Sequence, residues 1–207
     1  MNHAGKKIAF LFVFFFLVAG CFGPGHPDRK INYYALEYAV PEDSELKPLP
    51  YIIQVDRFQA TPLFGSDKIV YRESEYRMDA YHYHKWRAAP ADLVTCFLAR
   101  DLRQSSLFQA VFTVDTGYSS THAIEGSVDE FFEQDGENVW TAVISTSVTL
   151  IDKNEPDISK SVLFQKKYRE TETLRQKNPT GLAEAMSTAM SRLSDTIVKD
   201  VYNRLSR

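Results

Sequence analysis

The stretch "VWTAVISTSVTLID" (139–152) limits the fold more than any other part of this chain. Trp140, Ala142, Ile144, Val148 and Leu150 fall at one set of alternate positions, and Thr141, Ser145, Ser147 and Thr149 at the other. Successive side chains of a strand point to opposite faces. A period of two does not suit an amphipathic helix, whose apolar residues recur every three or four positions. The segment therefore reads as a strand with one covered face, the pattern of an antiparallel sheet wetted on its other side.

Its neighbours extend the sheet. "THAIEGSVDEFFEQ" (121–134) precedes it across the turn "DGEN" (135–138), and "KSVLFQKKYRET" (160–171) follows it. Further strands are expected at "INYYALEY" (31–38), at "YIIQVDRF" (51–58), where Ile52 and Ile53 mark a buried middle, and at "LFQAVFTV" (107–114). "VPEDSELKPLP" (40–50) is a polar loop bounded by prolines. "KIVYRESEYRMDAYHYHKW" (68–86) has two strand-forming arms, "IVYRE" and "YRMDAYHY", with "SE" near the turn, and reads as a hairpin.

Two helices complete the set. In "APADLVTCFLARDLRQS" (89–105), Pro90 suits the first helical position and Asp92 the positive end of the dipole. Leu93, Val94, Phe97, Leu98 and Leu102 form its apolar stripe. In the closing "NPTGLAEAMSTAMSRLSDTIVKDVYNRL", Asn178 is the expected N-cap and Pro179 the first helical residue. Leu182, Met186, Met190, Leu193, Ile197 and Val201 form the second stripe, suited to packing on the sheet. The expected architecture is one α+β domain over 31–207, a mainly antiparallel sheet packed with two main helices. Crossings through the helices would add some parallel pairing.

The first thirty residues read differently. "MNHAGKKIAFLFVFFFLVAGC" has a basic start at Lys6 and Lys7, then an apolar run from Ile8 to Ala19. The run is shorter than the roughly 20 residues of a spanning helix and ends in small residues, as a signal peptide does. Val18-Ala19-Gly20-Cys21 resembles a bacterial lipobox. That resemblance implies thioether attachment of diacylglycerol at Cys21, cleavage after Gly20 and acylation of the new amine. Residues 1–20 are then a lipoprotein signal peptide. Residues 21–30, with the Gly- and Pro-rich "FGPGHPDRK", form a lipidated tether. Residue 22 is Phe rather than Asp, which points to passage to the outer membrane rather than retention in the inner one. Several acyl chains together anchor a protein firmly.

With Cys21 lipidated, Cys96 is the remaining thiol, and stability must come from the core. Cys96 is expected at a core or boundary position; its helix offers no neighbouring base in sequence to activate it. A formal charge of −3 gives no basic field for nucleic acid, so no nucleic-acid partner is expected.

Chemical motifs are sparse. In "YHYHKW" (81–86), His82 and His84 would share a strand face, as two metal ligands do. A third ligand nearby in sequence is missing, and so are HExxH and paired cysteines; no metal and no cofactor are expected. There is no G-x-S-x-G elbow for a serine nucleophile. Asp129 and Glu130 are neighbours, expected to face opposite ways as solvated strand charges.

"IVYRESEYRMDAYHYHKWRAAPADLV" (69–94) resembles the signature of the ABC-type transport auxiliary lipoproteins: a V/I-Y-R strand, a tyrosine-rich arm ending in Y-x-x-W, then a helix begun by proline. The matching residues are Val70, Tyr71, Arg72, Tyr76, Tyr81, Tyr83, Trp86 and Pro90. "YYAL" (33–36), "LFQAV" (107–111) and "AIEGSVDEF" (123–131) are similar to other parts of that family, in order. The resemblance implies a non-enzymatic, periplasm-facing lipoprotein at the outer membrane. Its partners would be a mammalian-cell-entry (MCE) domain protein or ABC transporter components, in a system carrying lipid between membranes. A homo-oligomer would also suit a docking role. Tyr71, Arg72, Tyr76, Tyr81, Tyr83 and Trp86 are candidate partner contacts, since exposed aromatics and Arg are favoured in interfaces. Packing of the hairpin on the first helix competes for the same side chains. The alternative function is direct carriage of a lipid or hydrophobic ligand, which would need a continuous apolar cavity.

Overall fold

Alternation builds the longest ladder of the computed structural model, which describes residues 30–40, 46–114 and 117–207. Strands β7 (His122–Gln134), β8 (Thr141–Asp152) and β9 (Val162–Thr173) pair antiparallel in chain order. Ala142, Ile144, Val148 and Leu150 of β8 are fully buried on the helix-covered face. Trp140 precedes the strand and is half-buried, packed against the core. On the opposite face, Arg169 pairs with Glu130 and Lys167 with Asp129.

The rest of the sheet corrects the antiparallel expectation. The other strands are β1 (Asn32–Tyr34), β2 (Leu49–Val55), β3 (Gln59–Ala60), β4 (Lys68–Ser74), β5 (Arg77–Trp86) and β6 (Phe108–Thr113). β1 joins β5 in parallel, β2 joins both β6 and β7 in parallel, and β3 and β4 each join β7 in parallel. Among these six strands only the β4–β5 hairpin is antiparallel. The result is a nine-stranded mixed sheet, mostly parallel by pairing and curled into a half-barrel. Sequence neighbours β6 and β7 do not pair, because β2 lies between them. Ile53 and Val55 of β2 are fully buried, as in a strand with partners on both edges.

Two helices cover the sheet. α1 (Pro90–Gln104) starts at Pro90 and packs on β6 and β7; α3 (Pro179–Leu205) packs on β8, β9 and α1. The short α2 (Ile158–Ser161) lies between β8 and β9. The Asn178 side chain accepts the Gly181 N–H at 2.9 Å, so α3 begins where its cap residue predicts. All six stripe residues of α3, from Leu182 to Val201, are fully buried. Each such side chain contributes about 1.5–3 kcal/mol over exposure. In α1, Leu93, Val94, Leu98 and Leu102 are buried, while Phe97 is half-buried and stacks on Tyr38 at 5.3 Å. Cys96 is exposed, not in the core or at its boundary, because it falls on the far side of the helix from that stripe.

Three local features depart from regular alternation. The expected first strand is a strand only over Asn32–Tyr34. Between β3 and β4 a 3-10 turn, Pro62–Phe64, stacks Phe64 on Phe132 at 6.1 Å and closes a small patch of the second face. At Asp129 the β7–β8 register shifts by one residue. That bulge brings Asp129 to Ser147 and Lys167 while Glu130 meets Arg169, so the two acids serve one face instead of opposite ones. At Gly126 the ring of Phe58 lies so close that an added Cβ would sit 2.6 Å from it.

Candidate functional site

The β4–β5 hairpin collects the residues that carry the resemblance. Its strands are joined through Glu75 and Tyr76, with Ser74 opposite Arg77. Arg77 and Glu73 pair at 2.9 Å beside the turn. Tyr76 occupies the tip and is 92% exposed.

The other end is locked. Trp86 is 1% exposed and meets the Phe131 ring edge-on at 5.3 Å. Its backbone N–H donates to the Asp67 backbone carbonyl at 2.8 Å, and Lys85 pairs with the Asp67 carboxylate at 3.1 Å. Pro90 is buried at the start of α1.

The same locked end includes a polar knot. Tyr81 donates its hydroxyl to Glu133 Oε1 at 2.7 Å, and Tyr71 lies against Tyr81 with ring centroids 4.9 Å apart. Glu133 is fully buried near the end of β7, close to Asp135. Burial, with Asp135 beside it, pushes the Glu133 carboxyl up to about 7. Burial and the Glu133 carboxylate push the Tyr81 phenol up as well. On the outer face Arg72 sits over the Phe132 ring at 4.3 Å and meets Met78 Sδ at 3.6 Å.

His82 and His84 have different surroundings. Between the pairs Val70–Ala80 and Lys68–Lys85, β4 advances two residues while β5 advances five. This irregularity sets Tyr81 and His84, three apart, ring against ring at 5.7 Å. His84 Nδ1 also shares a hydrogen bond with the Tyr34 hydroxyl at 2.8 Å. His82 stands exposed beside Tyr83. Among the described residues no three His, Cys, Asp or Glu side chains converge as a metal would require.

The six candidates therefore divide. Trp86 is buried, and Tyr71, Arg72 and Tyr81 are half-buried in contacts within the domain. Tyr76 and Tyr83, the latter 41% exposed, reach solvent. Cys21, with the leader and residues 22–29 of the tether, lies outside the described residues.

Two polar anchors escaped the sequence reading. Glu133 stands two residues after Phe131, on the register that the sheet buries, and that placement was the available signal. The other is Asp101, 2% exposed, which accepts from the Tyr38 hydroxyl at 2.7 Å and from Arg100 Nε at 2.8 Å. It follows Arg100 on a helix, where an acid reads as solvated surface, and only the fold brings Tyr38 to it.

The family model for the ABC-type transport auxiliary lipoprotein component matches residues 34–198. The chain belongs to this family. The match runs from the last residue of β1 into α3 and includes the whole hairpin. Membership makes the protein an auxiliary lipoprotein component of ABC-type transport, a membrane-anchored protein of the cell envelope that associates with ABC transporter components. The fold is similar to that of protein XCC0632 from Xanthomonas campestris, with a TM-score of 0.76 and 16% identity over 84% of this chain and 95% of that one. It is also similar to the hypothetical protein CT253 from Chlamydia trachomatis, with a TM-score of 0.51 and 10% identity over 76% and 98% of the two chains. No curated protein matches the chain significantly.

Proposed function

We propose that the protein is a non-enzymatic docking component at the outer membrane, facing the periplasm, for an MCE- and ABC-type system that moves lipid between membranes. Cys21 carries the lipid after cleavage following Gly20, and residues 22–30 tether the domain. The observation that carries this reading is the contrast within one hairpin: Tyr76 is bare at the tip while Trp86 is sealed at the base. A tyrosine held out on a rigid arm covers apolar area at low entropy cost and keeps a polar handle. Tyr76 is the docking contact, and Tyr71, Arg72, Tyr81 and Trp86 hold the arm in place.

The filled core favours docking over carriage of a hydrophobic ligand. Trp86, Phe58, Phe131 and Phe132 all lie under 2% exposed or at that limit. A surface pocket of about 370 Å³ is lined by Asp56, Arg57, Glu125, Ser127 and other polar groups, which do not suit an acyl chain. Co-purification from envelope membranes tests the function. Recovery of an MCE-domain protein or an ABC component with the wild-type chain, and its loss with Tyr76→Ser, is the expected result. Recovery of neither, while another envelope complex survives the same extraction, would count against docking. Mass spectrometry tests the anchor: Cys21→Ala should accumulate uncleaved or unlipidated precursor.

A further inference from the structure

β1 and β5 form the edge of the sheet nearest in sequence to the tether. Tyr34, His84 and Trp86 mark their inward face, by the Tyr34–His84 hydrogen bond and the burial of Trp86. Parallel register with Tyr33 opposite Lys85 then sets Ile31, Tyr33, Tyr83, Lys85 and Arg87 on the outward face. Ile31 is 39% and Tyr33 51% exposed, alongside the exposed Tyr83. The Arg87 guanidinium lies over the Tyr33 ring at 5.7 Å. Arg87 is exposed and Lys85, paired with Asp67, is half-buried on the same face, so the patch mixes aromatic rings with cationic heads.

We infer that this outward face of β1 and β5 rests on the surface of a phospholipid membrane containing anionic headgroups. The inference rests on the reading of Cys21 as the lipid anchor. Nine residues, 22–30, separate Cys21 from Ile31, so the patch stays within about 35 Å of the anchored sulfur even with those residues fully extended. Tyrosine is favoured at the membrane–water interface, where its ring sits in the headgroup layer. Lys and Arg are drawn to anionic lipid, and Arg pairs with phosphate in two-pronged fashion. So small a patch binds weakly alone. A link this short raises the effective concentration to the millimolar range, enough to make a weak contact orient the domain.

Tyrosine footprinting tests this. The mature chain carrying Cys96→Ser is made without lipid and coupled through the Cys21 thiol to a maleimide-bearing lipid. Vesicles contain phosphatidylethanolamine with phosphatidylglycerol, and the same chain with Cys21 capped serves as the free reference. Hydroxyl-radical oxidation is then read residue by residue in a mass spectrometer. Tyr33 and Tyr83 should lose reactivity severalfold on the vesicles, while Tyr76 and Tyr118, 92% and 66% exposed, keep theirs. Tyr33→Ser with Arg87→Ser should restore the reactivity of Tyr83, and uncharged vesicles or high salt should weaken its protection. Unchanged Tyr33 and Tyr83, or equal loss at all four tyrosines, would overturn the inference. So would protection that follows the surface density of the chain, which would assign the patch to a second copy. Chemical coupling separates this outcome from the anchor itself, which the Cys21→Ala mass measurement decides.

Discussion

The two ends of the β4–β5 hairpin share strands and tyrosine-rich composition but differ in their partners. At the base, Trp86, Tyr81 and His84 are engaged by Phe131, Glu133 and Tyr34 from other strands. At the tip, Tyr76 is 92% exposed. A residue type that serves packing and recognition equally well is thus assigned by position along the arm. In the proposed docking role, anchorage of one end would make exposure at the other useful, because a fixed side chain loses less entropy when it binds.

Perturbing the base should cost stability. Trp86→Ala should destabilise the fold by about 3–5 kcal/mol, read by chemical denaturation, because a cavity of that size collapses only partly. A loss under about 1 kcal/mol would mean that the base is not locked. Tyr81→Phe should cost about 1–3 kcal/mol by removing the hydroxyl that Glu133 accepts.

Glu133 adds a pH signature to the base. Its carboxyl is raised from 4.5 to about 7 by burial, so the folded chain keeps a proton that the unfolded chain has released. Its contribution to stability is complete below about pH 4.5 and is lost as the pH rises through 7. Burial raises the Asp135 carboxyl too, which gives a slope of the same sign. Glu133→Gln should flatten the fall in stability over this range, leaving the part due to Asp135. An unchanged slope would show that the proton is held elsewhere.

The tip should behave in the opposite way. Tyr76→Ser should change stability by no more than about 0.5 kcal/mol, in the same denaturation experiment. A larger loss would move Tyr76 to the packing side of the comparison.

Local features of this hairpin and of the helices were legible because neighbouring residues decide them. Ser74–Arg77 closes a turn between two strand-forming arms, and Asn178 with Pro179 opens α3. The strand order was not, because β2 meets β6 and β7 only after the hairpin and α1 have intervened. Adjacent Ile52 and Ile53 signalled burial in β2 but could not say which strands supply it. Alternation also misled wherever the register slips. The shift at Asp129 and the irregular stretch before Lys85 each turn side chains that a regular strand would point elsewhere. At the site, the sequence brought the tyrosines, Arg72 and Trp86 together as a motif. Their division into packed and exposed sets depends on Glu133, Phe131 and Tyr34, which the fold delivers from distant segments.

Site-specific photo-cross-linking in the cell envelope tests the docking claim most directly. A photoreactive residue replaces Tyr76 in one chain and exposed Gln165 of β9 in another. Position 76 should capture an MCE-domain protein or an ABC transporter component, and position 165 should not. Capture at 165 but not at 76, with both chains folded and anchored, would contradict that claim.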